Sequence, residues 1–297
     1  MDEPMKNAKI SVLKIQIGVL FFLAFFASFI WVITLSENHG RNLRVTFLDV
    51  GQGDAILIEA PSGNRVLIDG GPPSGKILSE LGAMLPFYDK RLSVLIATHP
   101  DQDHIGGFPD VIERYSVEAL IEPDLYAENG VYPAMEKDAE EKGIKKIIAR
   151  AGTIITLDKN TTLEILYPEK KSPPAMETNI SSVVVKLTFG NESFLFTGDL
   201  PLAEEKALVL KYGEKLHVTV LKFGHHGSKS ATAPEFLAVV SPEYGVFSVG
   251  ADNKYGHPNR EVLDLAVKDK VTTYRTDQEG RIIFETDGTT ITVSTGK

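Results

Sequence analysis

The chain contains no cysteine, and this absence excludes several kinds of chemistry. Without thiols there can be no disulfide framework, no thiolate nucleophile and no cysteine-based zinc site. An excess of positive charge is also missing, because 31 Lys and Arg face 40 Asp and Glu, for a formal net charge of −9. This balance argues against a general electrostatic grip on nucleic acid, although bound metal ions could supply positive charge locally. A G-x-S-x-G nucleophile elbow is absent as well.

Near the N-terminus the sequence has a long stretch without any charged residue, IQIGVLFFLAFFASFIWVITL at 15–35. About 20 apolar residues are enough for a helix to span a bilayer. Three lysines precede the stretch, so the pattern predicts a cytoplasmic N-terminus at 1–14, a transmembrane helix at 15–35 and the bulk of the chain outside a cell membrane. The alternative is secretion after signal cleavage, which the length of the stretch and its poor cleavage site disfavour.

A polar linker is predicted at 36–42, and the remaining residues, 43–297, mix strands with helices throughout. Short β-branched runs such as RVTFLDV and SVLIATH predict strands, and amphipathic segments between them predict helices. With 43% hydrophobic residues, the chain can form a sizeable core. This mixture favours an α/β fold with two packed sheets and helices outside, a four-layer αββα sandwich.

A predicted strand ends in the segment THPDQDHIGG at 98–107, where His99, Asp101 and Asp103 occupy alternate positions and His104 follows. Alternate side chains of an extended segment point to the same side. Imidazole nitrogens and carboxylate oxygens are ligands for Zn²⁺ and Mn²⁺. A polar loop that caps the next helix would need only Asp103 and would leave the histidines without a role. The segment therefore predicts a metal site.

Three later strand ends offer further ligands: Asp199 in FLFTGDL, His225 and His226 in LKFGHHGS, and His257 in NKYGHP. Adjacent histidines point in opposite directions. One of His225 and His226 is therefore predicted to bind metal, and the other to support the site or face the substrate.

Together, HxDxDH, GD after a strand, HHGS and GHP resemble the motifs of metallo-β-lactamase-fold hydrolases. With the opening FLDVGQGDAILIEAP and the closing YRTDQEGRI, the chain is similar to the soluble domain of ComEC-type competence proteins over about residues 43–287. The resemblance implies an αββα sandwich with two divalent metal ions, Zn²⁺ or Mn²⁺, in a groove at one edge of the sheets.

The resemblance also implies the metal ligands, which are His99, Asp101, Asp103, His104, Asp199 and His225. His99 and Asp101 would hold one ion, Asp199 would bridge, and the others would hold the second ion. The sequence departs from the family where Asp101 replaces the usual second histidine. A mid-chain histidine ligand is also missing, and Asn179 is the nearest substitute. Whether His225 or His257 completes the second site stays open.

Other residues are assigned to the substrate or to support of the ligands, namely Gln52, Asp54, Asp69, Asn179 and Ser228. The candidate catalytic residues are Asp103, His226 and His257, and either His226 or His257 is expected to protonate the leaving oxygen.

Together, the N-terminal segment and the resemblance imply a membrane-anchored, metal-dependent phosphodiesterase or nuclease related to DNA uptake, with a phosphodiester substrate, DNA being one candidate. The alternatives are a phosphodiesterase acting on envelope polymers and a non-catalytic anchored binding module. The predicted partners are the phosphodiester substrate and the membrane, and the sequence identifies no protein partner.

Overall fold

A computed structural model describes residues 3–36, 42–169 and 177–297. In the first range, the side chains of residue 14 and residues 16–31 are described. The chain divides into two compact units, residues 1–41 and 42–297.

The first unit contains one long helix, α1 (Glu3–Ser36). Among the described residues, no helix meets the length and apolarity needed to cross a membrane. Most of the predicted linker at 36–42 lies outside the described residues.

The second unit contains the remaining elements. Its helices are α2 (Lys76–Met84), α3 (Gln102–Ile105), α4 (Phe108–Arg114), α5 (Val131–Glu141), α6 (Leu202–Tyr212), α7 (Pro234–Val240), α8 (Arg260–Lys268) and α9 (Thr276–Glu279). Its strands are β1 (Leu43–Phe47), β2 (Ile56–Glu59), β3 (Arg65–Ile68), β4 (Arg91–Ile96), β5 (Ser116–Glu122), β6 (Lys145–Ile148), β7 (Ile154–Thr156), β8 (Thr161–Tyr167), β9 (Val184–Phe189), β10 (Glu192–Phe196), β11 (Val220–Lys222), β12 (Tyr244–Phe247), β13 (Thr272–Arg275), β14 (Ile282–Thr286) and β15 (Ile291–Thr295). Short 3₁₀ turns occur at Thr178–Ser181, Gly213–Leu216 and Gly224–Gly227.

The strands form two mixed sheets within the described ranges. The first has eight strands in the order β15-β14-β1-β2-β3-β4-β5-β6, and the second has seven in the order β13-β12-β11-β10-β9-β8-β7. The strand β3 is buried at every position, as expected for a strand that is covered on both faces.

Three buried hydrophobic clusters hold the layers together. The cluster between the sheets includes Phe47 and Phe196, whose ring centroids are 6.2 Å apart. A second cluster packs α2, α4 and α5 on the outer face of the first sheet, and a third packs α6, α7 and α8 on the outer face of the second. This arrangement confirms the prediction of a mixed α/β fold with two sheets.

The parallel strands determine where the polar loops meet. Ile68 at the end of β3 pairs with Ile96 at the end of β4, and in the second sheet Phe196, Lys222 and Val246 pair across β10, β11 and β12. The carboxyl ends of parallel strands lie at the same edge of a sheet, and ligand sites of α/β proteins form there. The predicted site residues follow these strand ends, so the fold brings them together.

Candidate metal centre

Asp54, His104, Asp199 and His226 form a buried group in which one ligand atom from each residue lies within 4.8 Å of the others. They come from four separate segments, which follow β1, β4, β10 and β11. Carboxylate oxygens and imidazole nitrogens in such an arrangement are suitable ligands for a divalent cation.

Each imidazole at the centre is held through Nδ1, and this orients its Nε2. His104 Nδ1 lies 2.8 Å from Asp69 Oδ2, and His226 Nδ1 lies 2.9 Å from the backbone oxygen of Ser248. A carbonyl oxygen can only accept, so His226 Nδ1 carries the proton and a neutral ring has its lone pair on Nε2. His99 Nδ1 and His225 Nδ1 contact the hydroxyl groups of Thr98 and Ser230, respectively, at 3.0 Å.

The Nε2 atoms converge on the carboxylate of Asp199. The distances to its nearer oxygen are 3.4 Å from His104, 3.5 Å from His225, 3.6 Å from His226 and 4.0 Å from His99. Asp199 is only 3% exposed. Its central position allows it to share a bound cation with several of these imidazoles.

Buried polar atoms without partners provide a test of whether the site fits metal. The Nε2 atoms of His99, His104 and His226 and the Oδ1 atom of Asp199 are buried, and they form no hydrogen bond with any described residue. Buried polar groups are normally satisfied, and leaving one unsatisfied costs about 1–3 kcal/mol. A shared cation would satisfy these atoms together, so the side chains present fit divalent metal.

Two carboxylates lie on the open side of the centre. Asp101 Oδ2 is 3.6 Å from His99 Nε2, and Asp103 Oδ2 is 3.4 Å from His226 Nε2. Their side chains are 37% and 36% exposed, in contrast to the buried imidazoles. The centre is therefore accessible to a substrate from this side.

Mutual attraction shifts the pKa values of the buried groups. Burial raises the pKa of the Asp199 carboxyl, but His226 and His104 outweigh burial and hold that pKa well below its usual value. Conversely, burial lowers the pKa of His226, but Asp199, Asp103 and Asp54 raise it to about 9. The pKa of His104 is also raised, by Asp199 and Asp69 against the effect of burial. Protons and divalent cations therefore compete for these imidazoles.

Lys222 is a residue of the centre that sequence reasoning missed. The side chain is fully buried, its Nζ atom contacts Asp54 Oδ2, and it donates a hydrogen bond to the backbone oxygen of Gly198 at 3.1 Å. Burial lowers the pKa of Lys222, but Asp54 and Asp199 more than compensate and raise it. In the sequence, Lys222 is one polar residue in the strand segment TVLKFG, and a lysine almost never becomes fully buried unless it is paired. An otherwise apolar strand interrupted by lysine just before HHGS was the available signal.

The backbone is strained at three residues of the centre. Asp69, His225 and His226 have φ values of 58°, 48° and 55°, in the left-handed region. For residues other than glycine, such conformations cost about 1–3 kcal/mol each and occur preferentially at functional sites. The two consecutive left-handed residues send His226 into the core and leave His225 29% exposed.

The structure therefore places His226, rather than His225, in the buried group of four. The prediction assigned the ligand role to His225, because alternation alone cannot tell which of two adjacent histidines points inward. His225 lies close to Asp199 on the open side. Which of the two binds an ion stays a prediction.

Asp54 was predicted to touch the substrate or support the ligands, and the structure brings it into the buried group of four. Gly53 allows the loop that carries Asp54 to lie close to the backbone of Asp103, because a Cβ added to Gly53 would collide with the backbone oxygen of Asp103. The same oxygen accepts a hydrogen bond from the backbone N–H of Asp54 at 3.3 Å.

The other predicted residues make different contacts. Asp69, predicted to contact the substrate or support the ligands, lies 2.8 Å from His104 Nδ1 through its Oδ2 atom. Gln52 accepts a hydrogen bond from the backbone N–H of Gly250, and Ser228 contacts the hydroxyl of Ser230. Asn179 lies in the turn Thr178–Ser181, and its described contact there is a backbone hydrogen bond with Ser182.

His257 lies beside His225, with ring centroids 5.7 Å apart. Burial, His225 and His226 lower the pKa of His257, so its ring is neutral at pH 7. A neutral imidazole accepts a proton more readily than it donates one.

The sequence profile of the Metallo-beta-lactamase superfamily matches residues 48–251, the segment that contains every member of the buried group. The chain belongs to the metallo-beta-lactamase superfamily. This confirms the resemblance inferred from the motifs. The metallo-beta-lactamase fold is usually that of a metal-dependent hydrolase, and the buried group supplies the corresponding metal-binding site.

Among members with sequence similarity, "ComE operon protein 3" of Bacillus subtilis (strain 168) is 32% identical over 87% of this chain and 34% of its own length. "Competence protein ComA" of Neisseria gonorrhoeae is 31% identical over 81% of this chain and 32% of its own length. The chain thus spans about a third of these relatives. Igni18, a metallo hydrolase from Ignicoccus hospitalis, superposes with a TM-score of 0.53 at 18% identity, over 82% of this chain and 98% of that chain. This last similarity concerns the fold alone.

Proposed function

We propose that the chain is a divalent-metal-dependent phosphodiesterase that acts on nucleic acid. The observation that carries the proposal is the convergence of imidazole Nε2 atoms on Asp199, with their unpartnered buried atoms. The relatives include a protein named for competence, which supports a role in DNA uptake.

We also propose that the centre holds two ions, Zn²⁺ or Mn²⁺. Around the centre lie five carboxylates and the ammonium group of Lys222, the carboxylates being Asp54, Asp69, Asp101, Asp103 and Asp199. With neutral imidazoles these groups carry four formal negative charges, and two divalent cations would balance them. Buried charge is costly without such compensation. Because carboxylate oxygens contribute so many of the ligand atoms, Mn²⁺ is as suitable as Zn²⁺.

In this proposal His99 and Asp101 would hold one ion, and Asp103, His104 and His226 would hold the other, with Asp199 contributing to both. Asp54, whose Oδ2 contacts the ammonium group of Lys222, would add its negative charge beside the second ion. When bound, the ions would supply an activated water and stabilise the negative charge of the reacting phosphate.

The side chains around the ions would orient the ligands and exchange protons with the substrate. Asp69 keeps the ring of His104 oriented, and the carbonyl of Ser248 does the same for His226. With its Nδ1 engaged at Ser248 and its Nε2 assigned to the ion, His226 has no nitrogen left to protonate a leaving group. His257, which lies beside His225 on the open side, is better placed to exchange a proton with the substrate.

We propose further that the segment 15–35 anchors the chain in the cell membrane, with residues 1–14 inside and the hydrolase outside. The supporting features are the absence of charge in this segment and the three preceding lysines. Protease treatment of intact cells tests this orientation, because the hydrolase should be digested without cell lysis. Protection of the hydrolase, or its release into the medium, would contradict it.

Hydrolysis by the purified full chain tests the enzymatic proposal. After loading with Mn²⁺ or Zn²⁺, we expect hydrolysis of bis-p-nitrophenyl phosphate and single-stranded DNA, no hydrolysis of a β-lactam, and two bound ions per chain by elemental analysis. Asp199→Ala should lower the rate at least about 10²-fold, since it removes the oxygens shared by the imidazoles. Asp264→Ala, at a side chain that is 60% exposed, is the matched control and should retain the rate. Full activity of Asp199→Ala with metals present would refute the bridging role.

A further inference from the structure

Aromatic rings extend outward from the metal centre along the loop after β12. The ring of His225 packs against that of His257. The ring of His257 is in turn stacked on Tyr255, with centroids 5.6 Å apart and planes 22° from parallel. The side chain of Tyr255 is 68% exposed. The metal centre does not use Tyr255, so the open ring face needs another explanation.

The loop that carries this stack is held in place by Asn253. Its side-chain oxygen accepts a hydrogen bond from the backbone N–H of His257 at 3.0 Å, and its amide group donates to the backbone oxygens of Gly250 at 2.8 Å and His257 at 2.9 Å. Asn253 therefore ties both ends of the short segment that contains Tyr255. A ring held in this way loses little conformational freedom when a ligand packs on it.

We propose that the pair of Tyr255 and His257 is a stacking platform for one base of a single-stranded nucleic acid whose phosphodiester lies at the metal centre, an inference that rests on the function proposed above. Every base has a flat π-face, so stacking on an aromatic side chain tolerates any sequence. A base must be unpaired and free of its neighbours to lie on Tyr255, so the platform selects single strands over duplexes. His225, which contacts both Asp199 and His257, connects the platform to the centre.

A quaternary ammonium group, as in a choline-bearing polymer, also binds to aromatic faces. Such cations are typically enclosed by an aromatic cage. Among the described residues, the ring of Tyr255 packs against no aromatic ring other than that of His257, so the platform offers a flat face rather than a cage. The neighbouring Lys254 is exposed and positively charged, and it can attract a phosphate of the backbone.

Binding of a fluorescent single-stranded phosphorothioate oligothymidine to the Mn²⁺-loaded full chain tests the platform. The Kd of the oligonucleotide is measured by fluorescence anisotropy. Tyr255→Ala should raise this Kd about tenfold or more, which is the usual consequence of losing one base–aromatic stack. Tyr255→Phe preserves the ring and should stay within about twofold of the wild type. Tyr88→Ala, at a tyrosine that is 60% exposed and precedes β4, at the edge of the sheet opposite the site, is the matched control and should also stay within about twofold of the wild type.

Removing the bases provides a readout that a merely structural role of Tyr255 would not change. An oligonucleotide of abasic residues should bind the wild type about as weakly as the normal strand binds Tyr255→Ala, and the variant should lose nothing further on it. Thymidine monophosphate should also compete better than phosphorylcholine.

The platform is overturned if Tyr255→Ala binds the normal strand as tightly as the wild type does, or if the wild type binds no single strand. It is also overturned if abasic and normal strands bind equally, or if phosphorylcholine is the better competitor. Tyr255-dependent binding without hydrolysis of any phosphodiester would refute the proposed enzymatic function and leave the platform standing. Hydrolysis of phosphodiesters without Tyr255-dependent binding would refute the platform and leave the proposed enzymatic function standing.

Discussion

The ammonium group of Lys222 contacts the carboxylate of Asp54 inside the protein, where the two residues are 0% and 1% exposed, respectively. Each charge compensates the other in a region that water does not reach. Burial raises the pKa of Asp54, but Lys222 and His226 lower it to about 2, so the carboxylate is charged at neutral pH. Removing one partner leaves an uncompensated buried charge.

Lys222→Met should therefore lower the free energy of unfolding by about 3–5 kcal/mol, as expected for a broken buried ion pair. Urea denaturation of the metal-free protein measures this. The additional change Asp54→Asn should recover part of the loss, because it removes the stranded charge. Lys229→Met, at an exposed lysine, is the control and should change stability by less than about 0.5 kcal/mol. Equal stability of Lys222→Met and the wild type would show that the pair is not needed for folding.

The two adjacent histidines should differ in metal binding. His226→Ala removes from the buried group an Nε2 atom whose ring is held in orientation by Ser248. We expect metal affinity to fall by more than the 10–100-fold that is typical when a residue hydrogen-bonded to a ligand is replaced. His225→Ala should have a smaller effect, since that side chain is 29% exposed. Competition with a chromogenic chelator measures both affinities, and His217→Ala, at an exposed histidine, is the control. The reverse order of the two effects would restore the sequence-based assignment of His225 as the ligand.

Metal affinity should rise with pH. In the metal-free protein His226 has a pKa of about 9 and His104 a pKa raised above its usual value, so both carry protons at pH 7 that a cation must displace. Affinity should therefore increase by up to about tenfold per pH unit for each proton released, and level off above about pH 9. Calorimetric titration in buffers with different ionisation enthalpies counts the protons. A constant affinity between pH 6 and pH 8 would contradict the expected protonation of both rings.

The free energy of unfolding should also depend on pH, because the buried carboxyl group of Glu205 titrates. Its carboxylate is fully buried and accepts hydrogen bonds from the backbone N–H groups of Thr232 and Ala233, yet burial raises its pKa to about 7. The folded state thus binds the proton more tightly than the unfolded state, in which Glu205 has a pKa close to the ordinary glutamate value of 4.5. This contribution to stability is fully present below about pH 4.5 and is lost as pH rises through about 7.

Urea denaturation at pH 5 and pH 8 should reveal this contribution by comparison with Glu205→Gln, which cannot titrate. The stability advantage of the wild type over the variant should be about 2–3 kcal/mol larger at pH 5 than at pH 8. An identical advantage at both pH values would show that Glu205 does not titrate in this range.

Much of the fold could be predicted because it depends on local patterns. The end of α2 at Met84, two residues before Pro86, follows from the restricted backbone of proline and of the residue before it. The turn at Gly190, with a φ of 61°, joins β9 and β10, and a Gly-Asn pair between two strand-forming runs is a local signal for such a hairpin. In the same way, the clustering of histidines and aspartates after strand ends predicted a metal centre, because strand ends of one sheet share an edge.

Sequence by itself determined the composition of the centre: which imidazoles and carboxylates are available, and that they follow strands. Only the tertiary structure decided that Lys222 lies under Asp199, that Asp54 turns inward and that His226 rather than His225 is buried. The physical reason is the distance along the chain over which each kind of interaction acts. Strand periodicity and turn preference act between near neighbours, whereas a buried ion pair and a left-handed backbone are stable only when distant segments pack around them.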